Sequence, residues 1–142
     1  VWFIHPSRIR YTGENKHARR WVVVSGDLGN RRATNQDVIV VCTESWQPDQ
    51  ERKSLPLSPF VSRAEFRSIL DDDCFISCAK ICTVQKEHLL SRAAYQTKMM
   101  SEKNSHDKQP VGVFPTPVTE EIDSALRRIF DLKKSGSASN KA

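Results

Sequence analysis

The sequence predicts a mainly β domain with helices: a small, strongly bent sheet or barrel with a helix at the C-terminal end. Two observations predict it. Short runs rich in β-branched and aromatic residues recur between Val1 and Val84 (VWFI, VVV, VIVV and CFIS followed by ICTV), separated by Gly, Asn and Pro. A single well-capped amphipathic segment then closes the ordered chain.

The elements follow in order. Val1 to Ile4 reads as a first strand that Pro6 ends, and residues 7 to 19 form a long loop with Gly13 as its flexible point. Arg20 to Ser25 is the second strand. Gly26, Gly29, Asn30 and Asn35 supply turn chemistry before a third strand, Asp37 to Cys42, which reads as buried on both sides. An antiparallel pair sets the start of one strand beside the end of its neighbour, so Arg20 is expected near Thr43. Residues 44 to 59 carry Pro48, Pro56 and Pro59 and read as loop, with a short edge strand around Leu55 to Leu57. Arg63 to Leu70 reads as a short helix, and Asp71 to Asp73 as a solvated turn. Cys74 to Val84 is two short strands or one bent strand. Lys86 to Met100 has Leu89, Leu90, Ala93, Ala94 and Met100 at helical spacing, and 101 to 112 looks like a mobile loop. Thr119 caps a final helix over 120–132, with Glu120, Glu121 and Asp123 in its first turn and Arg127 and Arg128 further along. Residues 1–132 make one domain and 133–142 a disordered tail; no internal repeat is evident.

Composition narrows the class. The 142 residues suffice for one buried core, with 38% apolar and 27% charged residues. No apolar run approaches the roughly 20 residues that span a bilayer, and no secretory signal pattern is visible. Val1 is not a methionine and already reads as strand, so a few native residues are expected to precede it. Net charge is +5, which suits an anionic partner. It is concentrated between His5 and Arg20, where five cations (Arg8, Arg10, Lys16, Arg19, Arg20) face one anion, Glu14, for a local net of +4; Arg31 and Arg32 add to it. Cys42, Cys74, Cys78 and Cys82 fit neither the usual zinc pairs nor an iron–sulfur pattern. Even separations place them on one face of a strand as small apolar packing, reduced in a cytosol, and no metal or cofactor is expected.

The order of these parts resembles the MazF/PemK family of toxin endoribonucleases. The residues that carry the likeness are VWFI, the basic loop, Arg20 leading into VVVS, DVIVVCTES, the segment KICTVQK (Lys80 to Lys86, through Ile81, Thr83 and Lys86) and the final EEIDSALRRIFDL helix. The chain departs from the family's pattern at Trp21, where Pro usually follows the arginine. It departs again in the loop GENKHA, with Asn15 and Lys16 at usual Glu and Gln positions, and at Lys80, Cys82 and Gln85. Ala79 falls near a position that is acidic in some members, so that mechanism is not open here. Arg20 and Thr43 survive.

The resemblance implies an SH3-like barrel of the CcdB/PemK kind. It implies a cytoplasmic toxin of a type II toxin–antitoxin system, forming a homodimer and held by a cognate acidic antitoxin. The implied activity is growth-inhibiting, metal-independent cleavage of single-stranded mRNA to 2′,3′-cyclic phosphate and 5′-OH ends. That chemistry needs charge stabilisation at phosphate and proton transfer. Arg20, with its planar and permanently charged fork, fits the first task. Thr43 is a hydroxyl for a phosphate oxygen, and His17, with an ordinary pKa near 6.5, is a candidate base. Arg8, Arg10, Lys16, Arg19 and Lys80 are candidate RNA contacts. Trp46 is either a stacking surface for a base or a plug on the core. Trp21 alternates with Arg20 and is expected in the core. A non-catalytic member of the fold, binding nucleic acid or a protein such as gyrase, and an unrelated small barrel module are the alternatives.

Overall fold

The structure, a computed structural model, describes residues 1–4, 9, 19–32, 34–92 and 110–132. The basic loop, the distal part of the expected 86–100 helix, most of the 101–112 loop and the 133–142 tail lie outside the described residues.

Five strands form one antiparallel sheet: β1 (Trp2–Ile4), β2 (Arg19–Val23), β3 (Asp37–Ser45), β4 (Phe60–Val61) and β5 (Cys74–Gln85), in the order β1-β2-β3-β5-β4. One helical turn, α1 (Asp27–Asn30), links β2 to β3, and a 3₁₀ turn (Lys86–His88) follows β5. The C-terminal helix α2 spans Thr116–Ile129. The Gly- and Asn-rich connection closes through side chains: Ser25 Oγ donates to Asn30 Oδ1 (2.6 Å), and Asn30 Nδ2 donates to the Ser25 carbonyl (2.8 Å).

β-branched alternation decides which way each side chain points. Trp21, Val38, Val40, Cys42 and Val84 pack with Ile4 and Leu89 in one cluster. Val22, Val41, Ile76 and Cys78 pack on the other face with Phe114, Ile122 and Ala125, the last two from α2. Leu90 then hydrogen-bonds Phe3 in both directions (2.9 and 2.7 Å), so the chain leaving β5 returns to β1 and the sheet is curled. The mainly β fold with a C-terminal helix is the one the sequence predicts.

The long β3–β5 ladder carries an irregularity that sequence parity did not anticipate. Val41 pairs with Ile81, but Cys42 pairs with Ser77, leaving Cys78, Ala79 and Lys80 without opposite partners. Such a bulge reverses the side-chain alternation beyond it. Cys74 and Cys78 therefore face the helix side, while Cys82 packs with Cys42 on the other. All four are free thiols serving as small packing groups, but they do not share one face. β5 is thus a single strand bent at the bulge.

Other differences have local causes. Residues 63–70 form successive turns rather than a helix, with Phe66, Ile69 and Leu70 turned into the helix-side core. Leu89 and Leu90 are extended because Leu90 pairs with Phe3. Leu55 and Ser58 exchange hydrogen bonds across a tight turn, and the edge strand falls later, at β4. α2 starts at Thr116, capped by Pro115 and carrying Pro117 in its first turn, where a missing N–H costs nothing. Thr119 lies inside it and donates to the Thr116 carbonyl (2.9 Å). Ile39 is 43% exposed, so β3 is not buried on both faces throughout.

Burial pushes the Cys74 thiol up from 9.0 to about 12. A neutral thiol held in the fold ionises earlier in the unfolded chain, so this stability is complete below pH 9 and is lost as pH rises toward 12. Denaturant midpoints of the wild type should fall between pH 8 and pH 10.5. Cys74→Ala should fall less over the same range, and identical slopes would show that Cys74 does not carry the effect.

Candidate functional site

Trp21 opposite Cys42 and Phe3 opposite Arg20 place Arg20 beside Thr43, at the corner where β2 begins and β3 nears its end. Thr43 Oγ1 donates to the Arg20 carbonyl at 2.8 Å. The two residues expected together are together, but the Thr43 hydroxyl spends its proton on Arg20's backbone and is itself buried.

The Arg20 guanidinium lies over the Phe3 ring (4.9 Å to the centroid) and donates through Nη2 to Asp71 Oδ2. That hydrogen bond, with the arginine's charge, holds the Asp71 carboxyl below its usual range against the opposing effect of burial. Among the described residues, the buried Arg20 Nε finds no hydrogen-bond partner. Arg92 approaches Asp71 Oδ1 at 3.8 Å. Asp71 is therefore an ion-pair partner rather than part of a merely solvated turn. Asp73 is engaged too: its Oδ1 accepts from the Arg63 N–H (2.8 Å), and Arg52 lies 3.7 Å from Oδ2.

Asp71 borders an open cleft of about 470 Å³ that continues past Ser45, Trp46, Arg63 and Arg67. Trp46 is half-buried, donates its indole N–H to the Gln50 carbonyl (3.0 Å) and carries the Arg52 guanidinium over its ring (4.2 Å). It is neither a bare platform nor a core plug. A second groove of about 610 Å³, lined by Val22, Val38, Leu89 and Phe114 among others, is larger but holds no arginine among its described lining residues. The first cleft sets Arg63 and Arg67 among the acids Asp71, Asp72 and Asp73, whereas Lys86 and Glu87 are the charged side chains of the second.

Residues 1–130 match the family model of PemK-like, MazF-like toxins of type II toxin–antitoxin systems. The chain belongs to this family. No curated protein matches it. Among solved structures it is similar to an endoribonuclease from a mycobacterial species, determined in complex with its cognate antitoxin. The match covers 92% of this chain and 97% of that one at 15% identity, with a TM-score of 0.55, a likeness of fold.

Of the remaining sequence candidates in this PemK/MazF-like toxin, Lys80 is the one whose side chain is described. Lys80 sits in the β5 bulge and is ion-paired to Glu44 Oε1, while Ser77 Oγ donates to Glu44 Oε2 (2.8 Å), a set that pins the bulge to β3. Arg19 opens β2, with its side chain outside the description. Arg8, Arg10, Lys16 and His17 lie outside the described residues. Sequence reasoning missed Asp71, Arg92, Arg63 and Arg67. The one signal for them was a run of three acids in a basic chain. Among the described residues, no group of three or more His, Cys, Asp or Glu side chains is placed to hold a metal, and no helix is long and apolar enough to cross a membrane.

Thr43→Val keeps the shape of a buried side chain and removes its bond to the Arg20 carbonyl. It should lower stability by about 0.5–1.5 kcal/mol, measured as a shift of the denaturant midpoint at constant slope. No shift would mean that the hydroxyl does not hold the β2–β3 corner.

Proposed function

We propose that this toxin is a metal-independent endoribonuclease acting on single-stranded mRNA. The observation that carries the reading is Arg20: a half-buried guanidinium, held over Phe3 and seated next to Thr43, whose partner Asp71 lines a cleft that also holds Arg63 and Arg67. An arginine so fixed is suited to a phosphate on which negative charge grows. The ribose 2′-oxygen would bond to the adjacent phosphorus as the bond to the 5′-oxygen breaks, leaving a 2′,3′-cyclic phosphate and a 5′-OH end. Arg20 would stabilise the crowded phosphate, and Thr43 would position Arg20 through its carbonyl. His17 is the proposed acceptor of the 2′-OH proton. Arg8, Arg10, Lys16 and Arg19 are proposed to steer the strand, and Trp46, steadied by Arg52, to meet a base.

The Arg20–Asp71 pair favours a second reading, a non-catalytic member that binds nucleic acid or a protein target, because the key cation is already neutralised. Incubation with single-stranded RNA in excess EDTA, with heat-denatured protein as control, separates the two. The nuclease reading expects cleavage. Arg20→Ala should reduce it by about 10²–10³ without unfolding the protein, whereas Thr43→Val should slow it less. Near-wild-type cleavage by folded Arg20→Ala removes the residue from the mechanism.

The toxin is further proposed to act in the cytoplasm as a homodimer and to be silenced by an acidic antitoxin lying over the basic loop. Pairing is supported by the sheet's short outer strand β4, since edges gain from being covered. Light scattering at micromolar concentration should give twice the chain mass; a monomer there overturns the pairing.

A further inference from the structure

Arg20 does not meet Asp71 alone. Arg20 holds one carboxylate oxygen, and Arg92 Nη1 lies 3.8 Å from the other. Both guanidiniums also lie over the Phe3 ring, at 4.9 and 5.9 Å from its centroid. One aromatic ring thus carries two cations whose donors converge on a single anion. The arginines come from distant parts of the chain, one second in β2 and the other just past Leu90, where the chain has returned to pair with β1. The closure of the sheet is what brings them together.

Exposure separates the fixed part of this cluster from the exchangeable part. The Arg20 and Arg92 side chains are 17% and 34% exposed, whereas Asp71 is 65% exposed, sits on a bend and borders the cleft. The cations are set into the protein and the anion is at the mouth. An ion pair with so exposed a partner contributes little, so exchanging the carboxylate for another oxyanion sacrifices little. The carboxylate is also a poor match for the donors available. Its two oxygens are divided between two arginines, and the buried Arg20 Nε is left without a partner among the described residues. A phosphate has more oxygens to offer, and arginine forks bind phosphate through paired donors.

We propose that Arg20 and Arg92 form a clamp for one RNA phosphate, and that Asp71 is its resting occupant, displaced when the phosphate enters. This rests on reading the corner as a seat for an RNA phosphate. Arg92 is then a binding residue of the site, and Asp71 sets its affinity by competing for the same donors. The strand gains a place only by expelling Asp71 into solvent, which tunes binding without altering the arginines.

The test measures binding of a mixed-sequence 2′-O-methyl RNA octamer, which lacks the attacking hydroxyl, to the full chain over a range of salt. Wild type, Asp71→Asn, Arg92→Ala and the double variant are compared, with denaturant midpoints confirming that each is folded. Asp71→Asn should bind about threefold or more tightly than wild type, since it keeps the shape and removes the competing charge. Arg92→Ala should bind about tenfold more weakly, the scale of a lost charge-assisted hydrogen bond, with the salt slope reduced by roughly 0.7. The Arg92→Ala loss should persist in the Asp71→Asn background. Weaker or unchanged binding by Asp71→Asn overturns the proposal, as does an Arg92 effect that vanishes once Asp71 is neutral, because Arg92 would then act only by holding Asp71. Absence of octamer binding by wild type also overturns it. Should Arg92→Ala fail to fold, Arg92→Gln carries the same expectation. Cleavage of ordinary RNA is followed in parallel. An inactive wild type with the expected binding pattern removes the nuclease reading and keeps the clamp; an active one without the pattern removes the clamp alone.

Discussion

Burial of Trp21 fixes where Arg20 goes. The indole is fully enclosed in the cluster formed by Val40, Cys42 and Val84, and Trp21 is paired with Cys42 across the β2–β3 ladder. Side chains alternate along a strand, so Arg20 must project to the opposite face, where Phe3 and Asp71 receive it. A slip of one residue would expose the indole and drive a guanidinium into the apolar cluster, at a desolvation cost no nearby group could offset. The register that makes a core therefore also aims the arginine.

The β5 bulge is the second fixed point. By reversing parity after Cys78 it lets one strand supply packing to both faces: Cys74, Ile76 and Cys78 to the helix side, Cys82 and Val84 to the other. Glu44 bridges the bulge by binding Ser77 and Lys80, and it stands one residue past Thr43. The end of β3 is thus held twice, once by the Thr43 bond to β2 and once by the Glu44 set on β5. A site residue with neighbours tied on both sides keeps its geometry when a ligand arrives, which a polar loop alone would not ensure.

Much of this was legible in the sequence where one local rule decided the outcome. The β-branched runs of β2 and β3, the buried face of α2 and the meeting of Arg20 with Thr43 follow from periodicity and antiparallel geometry. What was not legible depended on long-range partners. No local signal says that Leu90 will leave a helical pattern to pair with Phe3, or that three residues of β5 will bulge. The Asp71–Asp73 turn looks solvated in isolation. It becomes part of the site only because the fold sets it against the Arg20 and Arg52 side chains and the backbone N–H of Arg63. Lys80, read from the sequence as an RNA contact, also has a long-range partner that no local signal announced, Glu44 of β3.

The charge arrangement finally separates two ways in which a basic protein can meet an anion. Net charge of +5 attracts over a distance, and exposed cations do this best at low salt. The described corner is built differently, because the side chains of Arg20, Arg52 and Arg92 are interleaved with Asp71 and Asp73. Such a corner presents a weak field to solvent but a fixed set of donors to whatever reaches it. Encounter then belongs to the net charge of the chain as a whole, and discrimination to a place where an incoming oxyanion must fit the donors better than an aspartate already does. That division explains why cations and acids can be packed together at one corner of a basic chain without working against each other.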